Sequence, residues 1–249
     1  MTTTTVSKSL EVLGRGPLEA IILCGGKGLR LKPHIWDDKP LLPLGLYSLV
    51  DSQIEWLERH GYSKIVLASH KKLSTRESPM VMHSIEDRPL GSGGAVRKAL
   101  QYISASSVLV MNVDDLLLDL NPARFLLDHS HIPTIAVARP KLDFGAVEIN
   151  SGGFITSFSR KAKVKQWVHC GFSTITREII QKYFPDEGPY EETVLPLLAE
   201  KECLRAYLYS GRWFTINTVK DYFNLLRELN IQYSEEELLK RIRESTSYP

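Results

Sequence analysis

Glycines and cations follow the first apolar stretch of the sequence. Residues 19–24 have the composition of a buried strand. The segment directly after it contains Gly25, Gly26, Lys27, Gly28 and Arg30. Glycine backbone NH groups can approach a phosphate closely, and the cations add charge, so this segment is a candidate phosphate loop. A glycine-rich turn is also a common structural feature. Leu31 replaces the third glycine of a dinucleotide fingerprint, and no Gly-Lys-Ser/Thr sequence closes a Walker A loop.

Two carboxylates end a second apolar stretch. Residues 108–113 read Val-Leu-Val-Met-Asn-Val and lead into Asp114 and Asp115. In an open α/β sheet, ligands gather beyond the carboxyl ends of the strands, so Asp114 should face the same crevice as the glycine loop. Asp115 is open to several roles: a carboxylate that supports Asp114, a helix cap or a solvated side chain.

The continuation of the glycine loop completes a double motif. Residues 38–44 read Asp-Lys-Pro-Leu-Leu-Pro-Leu. The whole block resembles the signature of sugar-1-phosphate nucleotidyltransferases, and is similar in particular to mannose-1-phosphate and heptose-1-phosphate guanylyltransferases. The resemblance implies that Arg30 and Lys39 contact a triphosphate. It also implies a nucleotide-binding loop made of Cys24, Gly25, Gly26 and Gly28. The segment departs from the family at Cys24, Leu29 and Asp38.

A second glycine segment resembles the part of the family on which the nucleobase lies. Residues 86–95 read Glu-Asp-Arg-Pro-Leu-Gly-Ser-Gly-Gly-Ala. The resemblance implies nucleotide contacts from Glu86, Gly91, Ser92 and Gly93, with glycines required because a Cβ would hold the base away from the backbone. A carboxylate can accept hydrogen bonds from both N1-H and N2-H of guanine, which favours guanine while leaving other bases open. The alternative for Glu86 is a strand end in water.

The resemblance also implies a magnesium site. Asp114 takes the place of the family's Mg²⁺-binding aspartate, although Val113 replaces the usual glycine before it. Thr215 stands where the family has a second aspartate, and a hydroxyl is a poorer Mg²⁺ ligand than a carboxylate. Asn217 lies two residues further on an extended chain and could supply an amide oxygen instead.

The sugar-contacting segments of the family are altered in this chain. The resemblance implies sugar contacts from Gly145, Arg160, His169 and Gly171, and a sugar-phosphate contact from Lys161. Arg160 stands where the family has Glu, and His169 stands where it has Asn. His169 as an ordinary strand residue remains an equal alternative.

The reaction that the resemblance implies joins a nucleoside triphosphate and a sugar 1-phosphate, giving a nucleoside diphosphate sugar and pyrophosphate. The nucleophile is already an anion, so no general base is needed. Repulsion between two polyanions is the main obstacle, and Arg30, Lys39, Lys161 and Mg²⁺ are expected to offset it. The competing hypothesis is a sugar-nucleotide-binding regulatory protein of the same fold, which the substitutions at Val113, Arg160, His169 and Thr215 would permit.

These residues must be positioned by an α/β framework. Strand-like runs alternate with helix-like patterns through residue 138, which predicts a largely parallel sheet covered on both faces. Residues 144–150 and 154–159 flank Ser-Gly-Gly and predict a hairpin, the antiparallel extension of that sheet. The expected architecture is a single Rossmann-like nucleotidyltransferase domain over residues 1–249, with a flexible lead at 1–16 and a C-terminal helix at 231–249.

Composition sets the class of protein. The chain has 249 residues, 43% hydrophobic and 24% charged, enough for a core without disulfides or metal staples. Its net charge of +2 argues against a nucleic-acid partner, and no stretch reaches the apolar length of a membrane span. Three widely separated cysteines and no signal peptide favour the cytoplasm. The expected partners are the two substrates, and a homo-oligomer is compatible with the sequence.

Overall fold

The computed structural model describes residues 16–26, 38–140, 142, 144–160, 162, 164–234 and 236–237. The strands in these ranges are β1 (Glu19–Leu23), β2 (Pro43–Leu44), β3 (Tyr47–Ser48), β4 (Lys64–Ser69), β5 (Val81–Ile85), β6 (Ser107–Asn112), β7 (Asp115–Leu117), β8 (Thr134–Ala138), β9 (Gly145–Ile149), β10 (Ile155–Arg160), β11 (Val168–Thr176), β12 (Arg205–Leu208) and β13 (Trp213–Thr215). The helices are α1 (Leu49–Arg59), α2 (Gly91–Ala99), α3 (Pro122–Asp128), α4 (Arg177–Tyr183), α5 (Tyr190–Glu200) and α6 (Val219–Glu228).

Seven strands form the main sheet in the order β12-β8-β11-β6-β1-β4-β5. Neighbours in this sheet are parallel except where β11 lies antiparallel to β6 and β8. The carboxyl ends of the other six strands therefore share one edge, where β11 begins. This is the mostly parallel α/β sheet that the sequence predicts.

The central strand β1 explains why both faces of the sheet are covered. All five of its residues are buried, as expected for a continuous aliphatic strand between two layers of helices. Side chains alternate across a strand, and Ile22 joins one core cluster with residues of α1, α3 and α6. Its neighbour Ile21 joins the other cluster, with residues of α2, α4 and α5.

Local signals in the sequence set several element ends. Thr218 caps α6, its side chain accepting a hydrogen bond from the NH of Asp221 at 3.2 Å. The hairpin predicted around residues 151–153 is present as β9 and β10, but it forms a separate two-stranded sheet and does not extend the main sheet as predicted. The antiparallel strand of the main sheet is β11. The predicted C-terminal helix has its cap at Ser234, whose hydroxyl accepts from the NH of Glu237 at 3.0 Å. Residues 1–15 and 238–249 lie outside the described residues, and no described helix is long and apolar enough to cross a bilayer.

Candidate active site

The segments that follow β1, β5 and β6 are fixed in register at the shared edge of the sheet. Backbone hydrogen bonds continue past the strand ends: Cys24 NH donates to the carbonyl of Ala68, Glu86 NH to Ser69, and Val113 NH to Leu23, at 2.8 to 3.1 Å. The sheet therefore holds the glycine loop, Glu86 and the acidic segment, defined as residues 112–115, at one end of the molecule.

Lys39 and Asp114 form the centre of this edge. Lys39 Nζ donates to Asp114 Oδ2 at 2.5 Å although the two residues are 75 positions apart. Both side chains are partly exposed, at 18% and 23%. Lys39 opens a 3₁₀ turn, Lys39–Leu41, in which Pro40 and Leu41 are buried, so the core anchors the turn while the ammonium faces the edge. The structure thus brings a cation and a carboxylate predicted for one site into contact.

Asp115 supports the acidic segment from the protein interior. Its carboxylate is buried and accepts hydrogen bonds from Asn112 Nδ2 at 3.1 Å and Trp213 Nε1 at 2.9 Å. Burial, together with the charge of Asp114, raises the pKa of Asp115 to about 6. Of the roles left open by the sequence, the structure gives Asp115 that of a buried, hydrogen-bonded support.

The carboxylate of Asp115 also explains why position 171 is a glycine. Its φ of +75° lies in the left-handed region, and a Cβ there would come 2.0 Å from Asp115 Oδ2. Glycine therefore lets β11 pass directly beside the acidic segment.

Gln53 on α1 is a buried residue that the sequence analysis did not single out. Its Nε2 donates to the carbonyl of Val113 at 2.6 Å and also lies 3.3 Å from the carbonyl of Asp115. These two carbonyls flank Asp114, so one amide fixes the backbone on both sides of it.

Thr215 and Asn217 lie beside the acidic segment, as their sequence positions predict. Thr215 pairs with Asp115 in the register of β13 and β7. The NH of Ile216 donates to the carbonyl of Asp114 at 2.9 Å, and Asn217 Nδ2 donates to Thr215 Oγ1 at 3.1 Å. The Thr215 hydroxyl and the Asn217 amide are therefore bonded to each other beside the backbone that carries Asp114.

These oxygen donors fit a hard divalent cation. Among the described residues no group of three or more His, Cys, Asp and Glu side chains is arranged to hold a metal. Mg²⁺ needs only one or two protein carboxylates, because it retains water and takes further oxygens from substrate phosphates. Asp114 and Asn217 are the residues that would hold it.

Glu86, Gly25 and His70 form a second group at the same edge. Glu86 is buried, and its Oε2 accepts from the NH of Leu90 at 3.0 Å and lies 3.5 Å from His70 Nδ1. A Cβ placed on Gly25 would lie 3.9 Å from Glu86 Oε1 and 3.7 Å from His70 Nε2. The alternative of Glu86 as a solvated strand end is wrong, because its carboxylate is inside the protein facing the glycine loop.

The glycines at the start of α2 have a protein neighbour rather than open space. Gly93 NH donates to the carbonyl of Gly188 at 2.9 Å, and a Cβ on Gly91 or Gly93 would come 2.7 Å from Gly188. The Ser92 hydroxyl donates to Glu191 and accepts from the NH of Tyr190 at 3.2 Å. The close approach that requires glycine at these positions is thus made by the backbone of Gly188, and not by a nucleobase as predicted.

Cys24 contributes its backbone, not its side chain, to the loop. The thiol is packed in the core cluster that contains Ala20 and Ile22, and burial raises its pKa. Gly26, two residues on, has a φ of +123°, which only glycine adopts readily. Gly28, Arg30 and Lys161 lie outside the described residues.

The predicted sugar-binding residues fall into two places. Gly145 and Arg160 are paired at the base of the exposed hairpin of β9 and β10. His169 lies half-buried in β11, its Nε2 3.2 Å from Ser173 Oγ and 3.3 Å from the carbonyl of Phe172. Burial lowers the pKa of His169, so the ring is neutral at pH 7.

A cavity of about 820 Å³ opens beside the end of β8. Its wall includes Trp213, which also donates to Asp115, and Trp167, whose ring lies 4.4 Å below the Arg139 guanidinium. Aromatic faces beside a cation suit a polar ligand that has apolar CH surfaces.

The sequence is similar to one protein family and to several named proteins. The family profile of the MobA-like NTP transferase domain matches residues 20–242. The D-glycero-alpha-D-manno-heptose 1-phosphate guanylyltransferase of Campylobacter jejuni is 28% identical over 220 residues, which cover 84% of this chain and 99% of that protein. The mannose-1-phosphate guanyltransferase of Saccharomyces cerevisiae is 26% identical, over 83% of this chain and 63% of its own length.

Solved structures show the same fold. The crystal structure of HddC from Yersinia pseudotuberculosis has a TM-score of 0.66 and 23% identity, covering 85% of this chain and 99% of that one. The same protein has also been solved in complex with GMP-PN, with the same TM-score and identity.

Proposed function

The chain belongs to the MobA-like NTP transferase family, and we propose on that premise that it transfers a guanylyl group from GTP to a sugar 1-phosphate. The products are a GDP-sugar and pyrophosphate. The single observation that carries the proposal is the contact between Lys39 and Asp114 at the carboxyl edge of the sheet, supported by buried Asp115. A cation for phosphate and a carboxylate for a divalent metal are the two charges that joining two polyanions requires.

The reaction balances without a general base. An oxygen of the sugar phosphate forms a bond with the α-phosphorus of GTP, the bond between the α-phosphorus and the bridging oxygen breaks, and pyrophosphate leaves with that electron pair. Two unit charges of like sign about 4 Å apart repel by roughly 4 kcal/mol at an effective dielectric near 20, so the site must supply positive charge. We assign that charge to Lys39, with Arg30 on the nucleotide and Lys161 on the sugar phosphate.

Asp114 and Asn217 would hold Mg²⁺, which would supply positive charge to the phosphate oxygens. The chain's own residues do the positioning. Asp115, held by Asn112 and Trp213, keeps the acidic segment in place. Lys39 exchanges its contact with Asp114 for a contact with phosphate.

We assign the nucleobase of the triphosphate to the group formed by Gly25, Glu86 and His70. Glu86 Oε1 lies on the side of the glycine loop, where a carboxylate can accept two hydrogen bonds from guanine. The similarity to two kinds of guanylyltransferase supports guanine as the preferred base.

The sugar is assigned to the region between Gly171, His169 and the base of the hairpin, next to the cavity walled by Trp167 and Trp213. A mannose-type or heptose-type sugar follows from the named relatives. All three cysteines are free thiols, which supports the cytoplasm as the compartment.

The test is a screen for pyrophosphate release. The purified chain is incubated with each common nucleoside triphosphate and a set of sugar 1-phosphates, with Mg²⁺ or with a chelator. We expect release with GTP and a mannose-type or heptose-type sugar 1-phosphate, dependent on both substrates and on Mg²⁺. Turnover with another base would reject the guanine assignment. Binding of sugar nucleotides without turnover under any condition would favour a regulatory protein.

A further inference from the structure

Only one oxygen of the Glu86 carboxylate is left for a base. Glu86 Oε2 accepts from the NH of Leu90 at 3.0 Å and lies 3.5 Å from His70 Nδ1. The other oxygen, Oε1, lies on the side of Gly25, 3.9 Å from the position of a Cβ on that glycine. Guanine presents two neighbouring donors, N1-H and N2-H, so a second acceptor beside Oε1 would give each donor its own partner.

The space above Gly25 has room for a ligand, unlike the space above Gly91 and Gly93. Among the described residues that do not adjoin Gly25 in the chain, no atom would come closer than 3.7 Å to a Cβ placed there, and this is an ordinary contact distance. A Cβ on Gly91 or Gly93 would instead come 2.7 Å from Gly188. Gly25 is therefore the glycine beside which a base can lie against the backbone.

His70 supplies an acceptor at the same place. Its Nε2 lies 3.7 Å from the position of a Cβ on Gly25, so Nε2 and Glu86 Oε1 both border the space above this glycine. The His70 side chain is 41% exposed, and Nε2 has no hydrogen-bond partner in the part of the chain that the structure describes. Nδ1 faces a carboxylate oxygen, which can only accept. In the neutral ring the proton is therefore on Nδ1, and Nε2 keeps its lone pair.

We propose that His70 determines the specificity for guanine, with its Nε2 accepting a hydrogen bond from the N2 amino group while Glu86 Oε1 accepts from N1-H. This inference rests on the proposed function, whose nucleobase site it completes. Hypoxanthine has the same N1-H but no N2 amino group, so it would use Glu86 and leave His70 without a donor. A site built to bind a particular N–H group rejects an analogue that lacks it.

The experiment compares the binding of GTP and of ITP, the triphosphate that carries hypoxanthine. Calorimetry with Mg²⁺ and without a sugar 1-phosphate measures both dissociation constants and requires no turnover. The wild type should bind GTP at least about tenfold more tightly than ITP. His70→Ala should weaken GTP binding about tenfold and leave the Kd of ITP within about twofold, because only guanine loses a hydrogen bond.

Three further variants control for other effects of the substitution. His70→Phe keeps a ring of similar size without an acceptor and should show the same selective loss, so the test does not depend on the alanine variant. His70→Gln can place an amide oxygen near the position of Nε2 and should retain most of the preference for GTP. Lys72→Ala removes an exposed cation two residues away and should leave the ratio of the two dissociation constants unchanged. Circular dichroism checks that each variant folds.

Two results would overturn the role of His70. One is equal affinity of the wild type for GTP and ITP. The other is a loss in His70→Ala and His70→Phe that is the same for both nucleotides, which would mean that His70 only positions Glu86. Turnover of GTP by a wild type that binds GTP and ITP equally would reject this inference and leave the proposed function standing. A preference for GTP that depends on His70, without turnover under any condition, would do the reverse, and a failure to bind either nucleotide would reject both.

Discussion

The acidic segment and the hairpin of β9 and β10 are held in opposite ways. The acidic segment is fixed from below by buried side chains: Gln53 is 4% exposed and Asp115 is 6% exposed, and both are hydrogen-bonded. Every residue of β9 and β10 except Ala146 is exposed. The core of the fold therefore positions the acidic segment, whereas the described residues leave the hairpin exposed.

Because of this difference, we expect substitutions in the two regions to have different effects. Near the acidic segment, a change can disturb both chemistry and stability, because the same hydrogen bonds serve both. On the hairpin, a change should alter substrate contacts with little effect on unfolding. Four substitutions, three at the acidic segment and one in β11 beyond the hairpin, test the first half of that division, in decreasing order of expected effect.

Asp114→Asn should cause the largest loss of activity. It removes the carboxylate assigned to the metal, and a loss of about 4 kcal/mol of transition-state stabilisation is roughly a thousandfold in kcat. The free energy of unfolding should change by less than about 1 kcal/mol, because the Lys39 pair is partly exposed. Pyrophosphate release and urea unfolding measure the two effects. Asp186→Asn makes the same change on a carboxylate that is 92% exposed and should be silent. Activity within tenfold of wild type would remove Asp114 from the metal site.

Lys39→Ala should lower kcat/KM for the nucleoside triphosphate by about 100-fold, about 2.7 kcal/mol, because it removes the ammonium assigned to phosphate. The KM for the sugar 1-phosphate should change little. Lys71→Ala is the matched control, since Lys71 pairs with Asp38, the neighbour of Lys39, and its side chain is 68% exposed. Steady-state kinetics with each substrate varied in turn decide the matter, and equal losses from both variants would contradict a specific role for Lys39.

Gln53→Leu should act through position rather than contact with substrate. It leaves the buried carbonyls of Val113 and Asp115 without their donor, at a cost of about 1 to 3 kcal/mol in unfolding free energy. Because the backbone on both sides of Asp114 is then unfixed, kcat should fall about tenfold, roughly 1.4 kcal/mol, and half-maximal activity should need more Mg²⁺. Ser52→Ala, at the adjacent position, controls for changes in α1. A loss of stability with an unchanged Mg²⁺ titration would make Gln53 structural only.

The position of Asp114 at the same end of the sheet as the glycine loop could be predicted, because strands of a parallel sheet end at one edge whatever their separation in sequence. Lys39 was assigned to the same site by the family resemblance alone. The hairpin could be predicted from the two strand-like segments that flank Ser151, Gly152 and Gly153. Period-two alternation in β1 could also have predicted that the Cys24 thiol lies in the core with Ala20 and Ile22.

Other features lay beyond sequence patterns. Gln53 meets the acidic segment across 60 residues, and a buried glutamine on a helix carries no signal of its partner. A glycine motif indicates a close neighbour but does not identify it. The sequence could therefore not decide whether Gly91 and Gly93 face a nucleobase or the backbone of Gly188. The exposure of the apolar side chains of the hairpin is likewise invisible in the sequence, because strand alternation is the same whether or not a layer covers it.

His169→Asn should have the smallest effect, visible as a change in pH dependence. Burial holds the pKa of His169 below its usual 6.5, so below that pH the unfolded chain binds more protons at this position than the folded chain. The neutral ring therefore supports folding fully above pH 6.5, and the support is lost as the pH falls through that value toward the folded pKa. Relative to the His169→Asn variant, the wild type should lose at most about 1.4 kcal/mol of unfolding free energy per pH unit in this window.

Urea unfolding of both proteins at several pH values between about 8 and about 5 measures the difference. Ser173→Ala removes the hydroxyl that contacts His169 Nε2 but keeps the ring, so it should shift unfolding while retaining most of the wild-type slope. If the free energy of unfolding of the wild type and of His169→Asn depends on pH in the same way, the pKa of His169 is not lowered in the folded protein. The ring in β11 would then be accessible to water, in contradiction to its burial.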